Sequence, residues 1–265
     1  MSDDVYRIYA IKYGTHERRR QDNFTAPVDL HDEPDAIDYF VWAAVSDSRT
    51  FVIDTGFSHE QAKARGRTLH RTVDEGLKLV GVDPAEVEDV IITHMHYDHG
   101  GNVDMFPKAT FHIQDLEMGY ITGRNMRHRF FRHSYEVEDV VQMVRTLYGG
   151  RVEFHAGDAE LAPGLSVHLI GGHTMGLQSV RVMTERGWVV VASDAMHIYA
   201  NEELSNPFPV IYNAADMVDG WSKLHRLADG PDHVVPGHDV RVVQRYPAES
   251  KELEGVVVRL DKEPS

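Results

Sequence analysis

The sequence predicts an α/β domain in which mixed sheets are covered by helices. Three observations point there. Short runs rich in β-branched and aromatic residues alternate with amphipathic helical stretches in both halves of the chain. The 265 residues are 42% apolar and 9% aromatic, enough to bury a substantial core. No low-complexity linker, solenoid repeat or composition break divides the chain, so residues 1–265 read as a single domain. The pattern alone leaves open whether the sheets form a sandwich or an open sheet.

Strands are expected at residues 5–12, 39–45 and 50–53, the last running into Asp54-Thr55-Gly56. The polar, irregular stretch 13–37 is a loop long enough to be functional or mobile. Leu69, Val73, Leu77 and Val80 recur at helical spacing, and Gly81 stops the helix. Residues 90–93 are a buried strand followed at once by a His-rich turn, and 109–113 another strand. Residues 114–133 show no clear period. Val137, Val140, Val141, Val144, Leu147 and Tyr148 make one apolar helical face. Strands return at 151–155, 166–170, 179–184 and 188–192. A late helix carries Val218, Trp221, Leu224 and Ala228, and 234–235 is the last expected strand, before Pro236-Gly237-His238.

Composition removes several function classes. Lys and Arg number 27 against 42 Asp and Glu, a formal net charge of −15, which suits nucleic-acid phosphates poorly. There is no cysteine, so disulfides, thiolate zinc sites, Fe–S clusters and cysteine nucleophiles are excluded. No apolar stretch approaches membrane-spanning length, and the Met-Ser-Asp-Asp start lacks the basic and apolar regions of a signal peptide. A cytoplasmic protein is expected, with a small-molecule substrate as partner and neither nucleic acid nor membrane. A homodimer stays open.

Histidine is the unusual count, at 17. Four functional residues crowd into Thr93-His94-Met95-His96-Tyr97-Asp98-His99, a His-x-His-x-Asp-His pattern. Chance alone would produce such a match about 0.006 times in a chain of this composition. Imidazoles two residues apart after a strand can converge on one cation, and the Asp and last His can reach a second; two metals about 3.5–4 Å apart can share and deprotonate one water. His173, Asp194 and His238 each follow an apolar strand-like run, a placement that a set of purely structural histidines would not repeat three times.

These residues, with Asp54 in Ile53-Asp54-Thr55-Gly56, resemble in order the metal ligands of the metallo-β-lactamase superfamily. The resemblance implies a four-layer αββα metallo-β-lactamase sandwich with its site at one edge of the sheets. It implies that His94, His96 and His173 hold one metal, that Asp98, His99 and His238 hold the other, and that Asp194 bridges them, with Asp54 orienting the ligand loop. Two Zn²⁺ per chain suit such a donor set, and Mn, Fe or Co are admissible.

Within the superfamily the chain is most similar to the acyl-homoserine lactonases, through Asp98-His99-Gly100-Gly101-Asn102, Gly172-His173-Thr174-x-Gly176-x-Gln178-Ser179 and Pro236-Gly237-His238-Asp239. Opening of a lactone, or of a similar cyclic ester or amide, by a metal-bound hydroxide is the implied chemistry, with Asp98 moving the proton. One position departs from the pattern. The lactonases place a substrate-contacting tyrosine three residues after the bridging Asp; here that residue is His197. His197 is therefore expected to donate to the substrate, with Tyr199, Tyr212 and Phe208 as further substrate contacts. A glyoxalase-II-like thioesterase is the enzyme alternative, disfavoured because only 27 residues follow His238. A metal-dependent sensor or scaffold is the non-enzymatic one. Residues 114–150 are the expected lid insertion. Within it Arg124, Arg127, His128, Arg129, Arg132 and His133 form a basic cluster suited to an anionic substrate or product, and Phe130 and Phe131 could supply an apolar wall.

Overall fold

Strand β1 (Arg7–His16) shows what this sequence demands of its fold. Ile8 and Ala10 are buried on one face, Tyr9, Ile11 and Tyr13 on the other. Strand β2 (Ile37–Val45) repeats the division, with Phe40, Trp42 and Ala44 on the first side and Tyr39, Val41 and Ala43 on the second. A strand that is apolar on both faces must be covered on both. The computed structural model, which describes residues 4–28 and 32–265, meets this with two sheets packed face to face and helices outside each.

The further strands are β3 (Thr50–Ile53), β4 (Thr68–Leu69), β5 (Asp89–Ile91), β6 (Thr110–Gln114), β7 (Val152–His155), β8 (Ala159–Ala162), β9 (Leu165–Leu169), β10 (Gln178–Thr184), β11 (Gly187–Ser193), β12 (Val234–Pro236) and β13 (Val257–Arg259). The first sheet runs β13-β1-β2-β3-β5-β6-β7, with β4 beside β1; the second runs β12-β11-β10-β9-β8. The run β3-β5-β6-β7 is parallel, as is β11-β12. Val180, Val182, Val189 and Val191 of the second sheet meet Phe40, Trp42 and Ile53 of the first to make the middle layer.

Helices α1 (His59–Arg65), α2 (Val73–Lys78), α3 (Asp115–Ile121), α4 (Arg129–Arg132) and α5 (Val137–Tyr148) cover the outer face of the first sheet, where Ala62, Leu77, Tyr120 and Met143 join Tyr13, Val41 and Val90. Helices α6 (Tyr199–Glu203), α7 (Ala214–Leu227) and α8 (Val242–Arg245) follow; α7 lays Trp221 and Leu224 on Val190 and Ala192 of β11. This is the four-layer αββα sandwich. Among the described residues no helix is long and apolar enough to cross a membrane.

Several elements differ from expectation. Leu69 is not on a helix: it pairs with Gly14 in β4, and α2 begins only at Val73, where the Glu75 carboxylate accepts the Thr72 N–H at 2.9 Å. Helix α5 has the expected span but a rotated face, with Met143 and Thr146 buried and Val137 and Tyr148 exposed at 69% and 89%. On α7 Met217 is buried and Val218 exposed, and Ala228 lies beyond the last turn. Helix α1 and strands β8 and β13 were not expected, so 234–235 is not the final strand. Residues 114–133, without a readable period, form α3, a 3₁₀ turn at Arg124–Arg127 and α4. The acidic start at residues 1–3, and residues 29–31 of the expected loop, lie outside the described residues.

Candidate metal centre

Every residue of the centre sits just beyond a strand. Asp54 follows β3, His94 to His99 follow β5, His173 follows β9, Asp194 follows β11 and His238 follows β12. The ends of β5 and β11 are tied across the two sheets by the Thr93 and Ser193 hydroxyls, 2.9 Å apart. The backbone is forced into the left-handed region here, at Asp54 (φ 62°) and Ser193 (φ 49°), a strain of order 1–3 kcal/mol at each that its surroundings must offset. Gly172, before His173, needs glycine twice over: its φ is +84°, and a Cβ would lie 2.5 Å from Met217 Cα of α7.

The side chains converge on Asp194. Nε2 of His173 and of His94 lie 3.1 and 3.7 Å from its Oδ2, while Nε2 of His99 and of His238 lie 3.2 and 3.0 Å from its Oδ1. On the first side His96 turns its Nδ1 to within 3.0 Å of His94 Nε2 and 2.9 Å of His173 Nε2. On the second, Asp98 Oδ2 lies 3.7 Å from His99 Nε2 and 3.8 Å from His238 Nε2. His94, His96, His173 and Asp194 thus form one group able to hold a cation, and Asp98, His99 and His238 a second.

The outward nitrogens fix the tautomers. His99 Nδ1 donates to Asp54 Oδ2 at 2.7 Å, His173 Nδ1 to the Val210 carbonyl at 2.7 Å and His238 Nδ1 to the Asp38 carbonyl at 2.8 Å. Each turns its Nε2 inward, as metal-binding imidazoles require. His99 Nε2 and Asp194 Oδ1 are buried without a hydrogen-bond partner. Three ring nitrogens about 3 Å apart cannot all be satisfied by protons, whereas one cation satisfies them together, so these residues fit a metal pair. Electrostatics separates the halves. Burial, then neighbouring imidazoles, holds His94 and His96 well below the usual histidine range. Burial opposes charge on His99 as well, but Asp194, Asp98 and Asp54 outweigh it and raise His99 well above that range.

Sequence reasoning missed Glu117 on α3. Its buried carboxylate accepts the Met95 N–H (3.0 Å), the Gly176 N–H (3.2 Å), the Thr174 hydroxyl (2.6 Å) and the Tyr135 hydroxyl (3.3 Å), clamping both ligand loops to the helical layer. Burial raises its pKa against these donors. Gly176 has no side chain because a Cβ there would overlap the Glu117 backbone.

A cavity of ≈ 110 Å³ opens over the centre, lined in part by Asp98, Asp194, His197 and Phe208. His197, expected to donate to the substrate, lines this cavity with its Nε2 turned to Asp194. Its Nε2 lies 2.9 Å from Asp194 Oδ2, its ring stacks on Phe208 with centroids 3.8 Å apart, and its Nδ1 is buried without a partner. Burial lowers its pKa to about 3, so the ring is neutral and the contact is a hydrogen bond to the carboxylate. Tyr199 and Tyr212 are not in the cavity lining. Tyr199 lies under the guanidiniums of Arg241 and Arg245, and Tyr212 packs on Tyr120 and Phe131. Of the basic cluster only His133 lines the cavity; Arg124, Arg127, His128, Arg129 and Arg132 are exposed elsewhere.

A fold of this kind, with two ligand groups sharing one carboxylate at the strand ends, defines a class, and comparison with known proteins identifies it. The family model of the metallo-beta-lactamase superfamily matches residues 37–238, and the chain belongs to that superfamily. It is 28% identical over 151 residues, 55% of each chain, to an N-acyl homoserine lactonase of Bacillus cereus, and so spans about half of that relative's length. A crystal structure of a quorum-quenching N-acyl homoserine lactone hydrolase shares the fold with a TM-score of 0.73 at 21% identity, covering 91% of this chain and 96% of the other. A dizinc quorum-quenching lactonase aligns at a TM-score of 0.67 and 14% identity, covering 90% and 89%.

Proposed function

We propose that the protein is a dinuclear metal-dependent hydrolase that opens lactone rings. The observation that supports this most is Asp194, whose two oxygens face two separate groups of ligands. In this reading His94, His96 and His173 hold one ion, Asp98, His99 and His238 the other, and Asp194 both. Five imidazoles and two carboxylates suit zinc, as in the dizinc relative, and admit Mn, Fe or Co. When bound, the ions supply an activated water and polarise the carbonyl to be attacked.

The chain's own residues do the rest. Asp54 and the Asp38 and Val210 carbonyls keep the imidazoles in the metal-binding tautomer. His197 holds the Asp194 carboxylate from the cavity side. Asp98 lines the cavity beside His99 and His238, where its free oxygen can take a proton and return it to the leaving alkoxide. We place the protein in the cytoplasm, acting on a small molecule.

The test is a substrate panel on zinc- and manganese-loaded protein: γ- and δ-lactones, N-acyl homoserine lactones and glutathione thioesters. Ring opening with metal-dependent turnover supports the reading. Hydrolysis of thioesters alone would replace it with a thioesterase, and no turnover with two ions bound would leave a sensor or scaffold.

A further inference from the structure

Two guanidinium groups in the cavity wall have no part in the metal chemistry. The chain around the end of β1 brings His16 and Arg18 to the cavity, and the end of α1 brings Arg65 and Arg67. Arg65 has a partner at every nitrogen: it bonds Glu136 at 2.6 Å and the carbonyls of His133 and Tyr135. Arg18 and Arg67 are not. Arg18 donates Nε to Asn23 Oδ1 at 2.7 Å and Nη2 to the Asp22 carbonyl, and its guanidinium lies 4.9 Å from the centroid of the Phe208 ring. Arg67 donates Nε to the Tyr97 hydroxyl at 3.0 Å, and Nη1 to the Arg65 carbonyl at 2.7 Å and to His16 Nε2 at 2.9 Å. Among the described residues, Arg18 Nη1 and Arg67 Nη2 have no hydrogen-bond partner, and neither arginine makes an ion pair.

A half-buried cation without a counter-charge costs free energy, and folded proteins normally pair it. This chain has fifteen more acidic than basic side chains, yet among the described residues none forms an ion pair with either arginine. The carboxylates lining the same cavity, Asp98 and Asp194, are turned to the metal ligands. Burial pulls Arg18 below the usual arginine value against the attraction of Asp22, whereas at Arg67 burial is outweighed by Tyr39, Tyr97 and Asp98, which raise it. His16 is lowered to about 4 by burial and then by Arg67 and Arg18, so it accepts from Arg67 as a neutral ring. The two open guanidinium edges, Arg18 Nη1 and Arg67 Nη2, line one cavity and can take an anion from outside the chain. A guanidinium edge offers paired donors matched to carboxylate or phosphate oxygens.

The cavity is also unsuited to a long apolar arm. Its ≈ 110 Å³ is well below the roughly 300–1,000 Å³ of pockets that enclose drug-sized ligands. Phe208 has His197 against its ring and the Arg18 guanidinium over it. Phe130, Phe131 and Tyr212 are outside the lining.

We infer that the substrate is a compact lactone carrying an anionic group, a carboxylate or phosphate, which Arg18 and Arg67 hold while the ring lies over Asp194. This rests on the hydrolase reading above and narrows its substrate class.

Two measurements test it. The first compares hydrolysis of 5-oxotetrahydrofuran-3-carboxylate with that of its neutral carboxamide by metal-loaded protein. The carboxylate should be favoured at least tenfold in kcat/KM, mostly through KM. Arg18→Met and Arg67→Met should each erase the preference, and Arg18→Lys should restore part of it. The second is calorimetric binding of glutarate against pentanoate, which differ by one terminal carboxylate. Glutarate should bind at least tenfold more tightly to the wild type and lose that advantage in both Met variants, with metal content and Tm unchanged. Equal binding of the two acids, or a glutarate advantage that survives both substitutions, overturns the inference. The hydrolase reading fails separately. If glutarate is preferred through the arginines but neither lactone opens, the anion site stands and the reaction assignment falls. If the carboxamide opens as readily as the carboxylate, the reverse holds. Arg18 and Arg67 have separate anchors, so a folding defect in one variant leaves the other to decide.

Discussion

The floor and the wall of the cavity are built by different means. The floor, the candidate metal centre, rises from strand ends in both sheets, and three of its five imidazoles, His99, His173 and His238, are tethered by the outer nitrogen to a carboxylate or backbone carbonyl. The wall comes from residues at and beyond the ends of β1 and α1, His16, Arg18, Arg65 and Arg67, of which Arg65 is held by Glu136 and the others by a hydroxyl, an amide, backbone carbonyls and each other. A floor of this kind fixes atoms to a few tenths of an ångström, which metal coordination and catalysis demand. The wall fixes charge and shape, and loops can change these without disturbing the chemistry. The floor therefore marks the superfamily, and the wall marks this member.

The largest expected effect breaks the floor in halves. His99→Ala should remove mainly the ion of the second group and His94→Ala mainly that of the first, each lowering metal content toward one per chain with near-complete loss of turnover. Loss of both ions from either variant would mean that the halves are not separate sites. Next in size is Asp54→Asn, which keeps shape but weakens the tether on His99; metal affinity measured by chelator competition should fall roughly 10–100-fold.

His197 lies where floor meets wall and sharpens the distinction. If it positions Asp194, as its 2.9 Å contact indicates, His197→Ala weakens metal binding by about the same 10–100-fold. If instead it served the reacting oxyanion, kcat would drop roughly 10²–10³-fold with both metals retained. Metal titration alongside kinetics separates these.

The smallest effect lies behind the wall. Asp139 on α5 accepts from Gln61 of α1 at 2.9 Å, and burial raises its pKa from 3.8 to about 6. The folded chain thus holds this proton more tightly than the unfolded one. Its contribution to stability is fully present below pH 3.8 and is lost as pH rises toward 6. Asp139→Asn should flatten that part of the stability profile in denaturant titrations between pH 4 and 6. An unchanged slope would return Asp139 to an ordinary surface carboxylate.

The same division decides what could be read in the sequence. His94, His96, Asp98 and His99 lie within six residues, and His173, Asp194 and His238 each follow an apolar strand, so spacing and strand ends announce them. Glu117 gave no signal, because its partners at 95, 135, 174 and 176 are distant in sequence and its own segment has no period. Arg18 and Arg67 were lost in polar stretches, where one arginine looks like another until the fold supplies or withholds a carboxylate. The cluster at 124–133 stands out by charge density, yet its arginines are exposed outside the cavity lining. Leu69 shows the limit of periodicity: it falls at helical spacing from Val73, yet two residues suffice to pair as a strand with β1.

Asp194 stands between the two ligand groups and would be shared by both ions. The most direct test of that sharing is elemental analysis of wild-type protein loaded with zinc and freed of excess metal on a desalting column. Two ions per folded chain are expected, and Asp194→Ala should lose affinity for both together. One ion or none in the folded wild type would contradict it.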